Sequence, residues 1–238
     1  MLINGDMLFK YRGQLPVIIL VIAIPLISAT SNYKTEDLYT NNIQYIGILI
    51  SCIGFFFRCY IIAKTPDGTS GRNRNQQIAE KLNTTGVYST TRHPLYLANY
   101  TIWLGISMYS ISYILTIITS LFFFLVYRRI IHVEEYFLSK KYAKKHEDFI
   151  THTPIFFPSF KNYKPSKTKF SIKKILKQEY SSMFSIVIAF IYIDLLIRYF
   201  IMNTSIECGQ LVTNKHLIIL CISIIITVLL KLYKTVTK

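Results

Sequence analysis

The chain has 238 residues, 52% of them hydrophobic and only 16% charged, yet its formal charge is +15. About a quarter of the residues in a soluble domain are charged, so this composition excludes an ordinary globular protein of the aqueous phase. The basic excess does not call for a nucleic-acid partner, because short loops rich in Lys and Arg hold segments of a membrane protein on the cytoplasmic side.

In chain order, apolar runs cover residues 15–29, 43–63, 95–127, 183–202 and 217–232. Each approaches or exceeds the ~20 residues that cross a ~30 Å hydrocarbon core. The first run contains Pro16 and Pro25 and lacks a small-residue cleavage pattern, so it is read as a retained helix and not a signal peptide. The third is too long for one crossing and should break around residues 105–112, where Ser107, Ser110 and Ser112 cluster. The expected fold is an all-α polytopic bundle of about six transmembrane helices.

Charge placement gives its orientation. Lys10 and Arg12, then Lys64, Arg72, Arg74, Lys81 and Arg92, then the basic segment 128–177, then Lys231, Lys234 and Lys238 all fall on one side if the spans alternate. That side is expected to be cytoplasmic, with both termini on it. The lysines of residues 161–177 should also hold that linker against anionic headgroups, at about 1 kcal/mol each. Three parts follow: residues 1–65 with two helices, 66–160 with a polar loop, a helical hairpin and a basic tail, and 161–238 with a linker and two final helices.

The four cysteines, Cys52, Cys59, Cys208 and Cys221, form no CxxC pair and suggest neither a disulfide framework nor a metal site. The polar loop opens turn-rich at Pro66, Gly68 and Gly71, and a short helix is predicted near Gln76 to Leu82. After the fourth span, Ile131, Tyr136, Leu138 and Tyr142 can line one side of a helix that continues out of the membrane.

The chemistry-bearing residues lie in the middle part. Glu134 and Glu135 stand together at the inner end of a helix, where Arg128 and Arg129 could simply pair with them in solvent. Alternatively one carboxylate faces a buried polar ligand; successive helical positions point about 100° apart, so only one should face the bundle centre. Arg92 and His93 precede Pro94, which suits the first position of a helix. They could be a snorkelling arginine and a cap, but Gly86, Tyr88, His93, Pro94 and Tyr96 bring a glycine, two phenols and an imidazole to one membrane edge. Asp194 and Arg198, a helical turn apart, are read as an ion pair, and Arg58 as a residue snorkelling to the inner interface.

The order Gly-x-Tyr-x-x-x-Arg-His-Pro-x-Tyr at residues 86–96, an apolar hairpin, and Glu-Glu-x-x-Leu at 134–138 followed by Tyr142 and Pro154, resembles the isoprenylcysteine carboxyl methyltransferase and phospholipid methyltransferase superfamily. The resemblance covers roughly residues 73–158. It departs at Ala98 and Ala143, where glycine is frequent in that superfamily. It implies S-adenosylmethionine bound at the cytoplasmic membrane edge and a methyl group passed to a lipidic acceptor. By position, Glu80, Lys81, Leu82, Asn83, Tyr88, His93, Pro94, Leu95, Tyr96 and Glu134 match cofactor-contacting places, and Arg129 falls near a substrate-binding arginine.

An anionic acceptor, a lipid phosphate such as that of lipid A or a carboxylate as in isoprenylcysteine, needs no general base and could be held by Arg92 or Arg129. An amine acceptor, as in phospholipid N-methylation, must lose a proton, for which Glu135 or His93 is the candidate. The loop at residues 69–73 and the extra C-terminal helices look more like bacterial members, which implies an inner-membrane protein and favours the anionic headgroup. A membrane reductase using NADPH is the competing enzyme, with Arg72, Arg74 and Arg92 for a 2′-phosphate, although paired acids suit a cationic cofactor better. A transporter or scaffold would instead spread polar residues along several spans.

Overall fold

A computed structural model describes residues 2–30, 41–66, 81–202 and 211–237. These are helical or connecting, with no strand among them: α1 (Leu2–Tyr11), α2 (Val17–Thr30), α3 (Asn41–Lys64), a 3₁₀ turn (Gly86–Ser89), α4 (Pro94–Tyr109), α5 (Tyr113–Tyr142), α6 (Lys144–His152), α7 (Ile172–Phe200) and α8 (Asn214–Val236). The all-helical membrane architecture read from the sequence is what forms.

The five apolar runs, the third split in two, become α2, α3, α4, α5, α7 and α8. Of these α3, α5, α7 and α8 are long and apolar enough to cross a bilayer. α2 has 14 residues and α4 has 16, so at 1.5 Å per residue they rise about 21 and 24 Å, short of a full crossing. The predicted break in the third run is the turn Ser110–Ile111–Ser112. Ser112 caps α5 by accepting from Leu115 N, and Ile111 takes a φ of 63° to reverse the chain. The helix predicted near Gln76 to Leu82 falls mostly outside the described residues, and Lys81 and Leu82 are not helical.

α5 is the hub of the core. Leu115, Phe123, Tyr127, Ile130 and Ile131 meet Ile19, Ala23 and Ile27 of α2 and Ile102 and Ile106 of α4, and Ala189, Ile193 and Ile197 of α7 join the same core against α2 and α4. The four-residue steps on α2 and α7 put each of those sets on a single helical face. α3 and α4 approach more closely than any side chain would permit: a Cβ added to Gly47 would lie 2.6 Å from Gly105 O and 2.8 Å from Tyr109 N. Small residues at a membrane helix crossing allow such backbone contact, which replaces the hydrophobic driving force that lipid removes.

This packing sorts the polar residues to two ends. At one end lie the C-terminus of α3, the start of α4 and the start of α7, with the end of α8 tied to α7; Ser171 N donates to Ala63 O, and the Lys177 ammonium reaches Thr237 O. At the other, Gln44 reaches Tyr109 O, and Asp194 accepts from Tyr109, Arg198 and His216. The expected Asp194–Arg198 pair is therefore part of a larger network. Arg58 does not snorkel: its guanidinium turns into the bundle, held by Glu179 and Asn99.

Candidate active site

Residues 86–96 are shaped by a strap that returns over them after α6. Gly86 has a φ of 64°, and its N–H donates to Lys164 O at 2.7 Å. A side chain there would be strained in backbone and would press on Ser166, 3.0 Å away. Further along, Ser159 N donates to Thr90 O, Thr91 Oγ1 donates to Ile155 O, and Arg92 N donates to Pro154 O at 2.9 Å. The strap thus fixes the backbone that delivers Arg92 and His93 to the mouth of α4, where Pro94 occupies the first turn.

α5 meets this edge with its two acids. The imidazole of His93, 6% exposed, lies between them: Nε2 is 3.1 Å from Glu135 Oε1, and Nδ1 is 3.6 Å from Glu134 Oε2. The first contact is a hydrogen bond and the second is too long for one. Arg92 Nη1 reaches the same Glu135 Oε1 at 2.8 Å, and Tyr96 OH donates to Glu134 Oε2 at 2.9 Å. The expectation that only one acid faces inward is corrected: the buried imidazole sits between two long side chains and meets one at each ring nitrogen.

Aromatic rings continue the cluster inward. His93 stacks on Tyr96 at 5.6 Å, Tyr96 meets Tyr127 edge-on at 4.9 Å, and Tyr127 stacks on Phe123 at 4.8 Å. Burial, and secondarily the charge of Glu134, pushes the Tyr88 phenol well above its ordinary range, so it stays protonated. Burial also pulls the Arg92 guanidinium down against the opposing pull of Glu135, but an arginine remains charged. His146 of α6 is buried nearby and lowered chiefly by desolvation, with Glu135 opposing and Arg92 and His93 adding to the shift.

Arg92, His93, Tyr96, Glu134 and Glu135 therefore converge, with Tyr88 near enough to feel Glu134. Pro94 and Leu95 form the first turn of α4. Lys81, Leu82 and Asn83 lie in the coil leading to the 3₁₀ turn, Lys81 exposed, and Glu80 lies outside the described residues. Arg129 is not brought to the cluster: it is exposed on α5, and five residues before Glu134 it points about 140° away. Sequence reasoning passed over Thr91, Asn99, Tyr127 and Glu179. A lone acid at position 179, at the end of a lysine-rich stretch and near an apolar run, was the available signal.

The cluster coincides with a known family. The phospholipid methyltransferase profile matches residues 39–145, which hold every residue of the cluster. Residues 39–145 are a phospholipid methyltransferase domain. This places the domain in the isoprenylcysteine and phospholipid methyltransferase superfamily, as its motifs suggested, a family whose methyltransferases generally use S-adenosylmethionine. Similar proteins include the nickel-cobalt-cadmium resistance protein NccN of Alcaligenes xylosoxydans xylosoxydans, 28% identical over 156 residues, 64% of this chain and 66% of that protein. The cobalt-zinc-cadmium resistance protein CzcN of Cupriavidus metallidurans is 34% identical over 99 residues, 42% of this chain and 43% of its own length. The chain thus spans just under two thirds of the first relative and less than half of the second. No solved structure matches.

Proposed function

We propose that this protein binds S-adenosylmethionine at the His93–Glu134–Glu135 cluster and methylates an anionic lipid headgroup at the cytoplasmic edge of a bacterial inner membrane. The carrying observation is the convergence of the 86–96 motif with the paired acids of α5. When bound, the cofactor supplies an electrophilic methyl group on a positively charged sulfur.

The residues suit that group. Among the described residues, Glu134 Oε1 and Glu135 Oε2 make no hydrogen bond, so two anionic oxygens remain to accept from ribose hydroxyls or oppose the sulfonium charge. Arg92 Nε is buried with no hydrogen-bond partner and would welcome a carboxylate oxygen. His93 and Tyr96 orient the two acids, and the strap holds the motif closed against water. Arg92 binds the anion of cofactor or acceptor; Arg129, exposed and turned about 140° from Glu134, has no part in holding it.

The names of the two relatives favour the anionic acceptor over an amine. Methylating a phosphate or carboxylate removes a negative charge that attracts divalent cations, whereas N-methylation of an ammonium leaves its charge in place. Metal resistance then follows from a membrane surface that holds fewer metal ions.

The test is incubation of purified protein with radiolabelled S-adenosylmethionine and total bacterial membrane lipid, beside His93→Ala and Glu134→Gln. Label should enter lipid with the wild type and fall sharply in both variants, and the product should elute earlier from an anion exchanger. No labelled lipid with the wild type refutes the methyltransferase reading; labelled lipid of unchanged charge replaces the anionic acceptor with an amine.

A further inference from the structure

Apart from the Asp194 network at the opposite end, the described residues hold a charged assembly inside the bundle with no place in the cluster described above. Arg58 lies six residues before the inner end of α3, about 9 Å into the bundle at helical rise. Its Nε and Nη2 engage the two oxygens of Glu179 at 2.7 and 3.3 Å, and its Nη1 donates to Asn99 Oδ1 at 2.7 Å. Glu179 is 2% exposed and comes from α7, outside the segment that matches the methyltransferase family. Placing two charges at this depth is costly, and a buried ion pair is often no better for stability than apolar side chains of the same size. Stability alone is therefore a weak reason for the pair.

Its connections supply a better one. Asn99 stands one helical turn after Tyr96 on α4, and its amide acts on the phenol of Tyr127 across on α5. Tyr127 packs edge-on against Tyr96, and Tyr96 donates to Glu134. Arg58 is also close enough for its charge to act on both Tyr127 and Tyr88. A contiguous path of oriented polar and aromatic side chains thus runs from α7 through α3 and α4 to the carboxylate beside His93.

We infer that Glu179 is a positioning residue of the cofactor site, acting through Arg58, Asn99 and Tyr127 on Tyr96 and Glu134, and that α7 is a working part of the methyltransferase unit. This rests on the reading of that cluster as the S-adenosylmethionine site. Glu179 orients Arg58 by its two-pronged contact and neutralises a charge that would otherwise pull Asn99 and the phenols out of register. A displacement of about 1 Å at a reacting centre can cost two orders of magnitude in rate.

The experiment measures S-adenosylmethionine affinity by calorimetry, and thermal stability in detergent, for the full-length protein and three variants. These are Glu179→Gln, the apolar pair Arg58→Met with Glu179→Leu, and Tyr127→Phe. The apolar pair should melt near the wild type yet bind about tenfold or more weakly, because removing both charges spares the packing but breaks the path. Glu179→Gln should bind weakly as well. Wild-type affinity in a well-folded apolar pair shows that the assembly serves only the fold and overturns the inference. If that pair does not fold, Tyr127→Phe decides: it keeps the ring and removes only the phenol oxygen, so unchanged affinity overturns the inference and a loss of several-fold supports it. Folded wild-type protein that binds no S-adenosylmethionine overturns the proposed function, and this inference with it; binding by wild type with no loss in the variants overturns the inference alone.

Discussion

Replacing Glu135 with glutamine separates the two acids by their partners. Glu135 Oε1 forms an ion pair with the Arg92 guanidinium at 2.8 Å and accepts a hydrogen bond from His93 at 3.1 Å, whereas Glu134 accepts one hydrogen bond, from the neutral phenol of Tyr96. A hydrogen bond to a charged group contributes about 1.5–3 kcal/mol and a neutral one about 0.5–1.5, so an amide in place of the carboxylate loses roughly 1 kcal/mol per bond. With the ion pair to Arg92 taken as worth a similar amount, the two contacts give about 2 kcal/mol, and the 22% exposure of the Glu135 side chain lowers this towards 1. For a chain of this length that is a fall of about 2–8 °C in melting temperature. Glu134→Gln keeps an acceptor for Tyr96 and should fall by half of that or less. Thermal unfolding in one detergent, followed by the fluorescence of Trp103, reads both. Equal shifts in the two variants, or a larger one for Glu134→Gln, would refute the assignment of the charged partners to Glu135.

Three further outcomes are expected. Gly105→Ala would place a methyl group against Gly47 O and 2.5 Å from Ser51 N, both backbone atoms that cannot rotate away, so α3 and α4 must separate. Overpacking of this kind costs about 1–3 kcal/mol, seen as a lower melting temperature with no matching loss in Gly13→Ala, where the added atom meets nothing. Ala143 stands between α5 and α6 with φ 39° and ψ −116°, a region that favours glycine, so Ala143→Gly should raise stability by about 1 kcal/mol in the same assay. The His146 imidazole is held neutral by burial; below its ordinary value of 6.5 the unfolded chain takes up a proton that the folded protein resists, so stability falls as pH drops. Melting curves at pH 7.5 and 5.5 should show a larger acid loss in the wild type than in His146→Gln.

Sequence alone reached the parts of this structure that are local. The apolar runs, Pro94 at the start of α4, the serine-rich break before α5 and the spacing within 86–96 and 134–135 all concern neighbours along the chain, where periodicity and turn chemistry speak directly. Arg129 shows the limit: five residues from Glu134, it shares its helix but not its face. Arg58 and Glu179 show another. They are 121 positions apart, and no pattern in either segment indicates that α7 packs where an α3 arginine needs an anion. The strap is a third case, because Pro154, Ser159 and Lys164 act through backbone atoms that any residue type could supply.

The two ends of the bundle use the same kinds of side chain with opposite accounting. Asp194 takes the Tyr109 hydroxyl on Oδ1 at 2.7 Å, and Arg198 at 2.6 Å and His216 at 2.8 Å on Oδ2. His216 in turn accepts Thr213 N on Nδ1, so its Nε2 carries the proton donated to Asp194 and α8 is tied to α7 and α4. Both carboxylate oxygens and both ring nitrogens are engaged, which leaves nothing to offer a ligand and makes this a joint between helices. At the opposite end an oxygen of Glu134, an oxygen of Glu135 and the buried Nε of Arg92 remain unengaged among the described residues. Half-buried charged atoms carry a cost when they lack partners, so a carboxylate–imidazole network that is filled at one end, beside carboxylate and guanidinium atoms left unengaged at the other, supports the proposal that the second end receives a molecule.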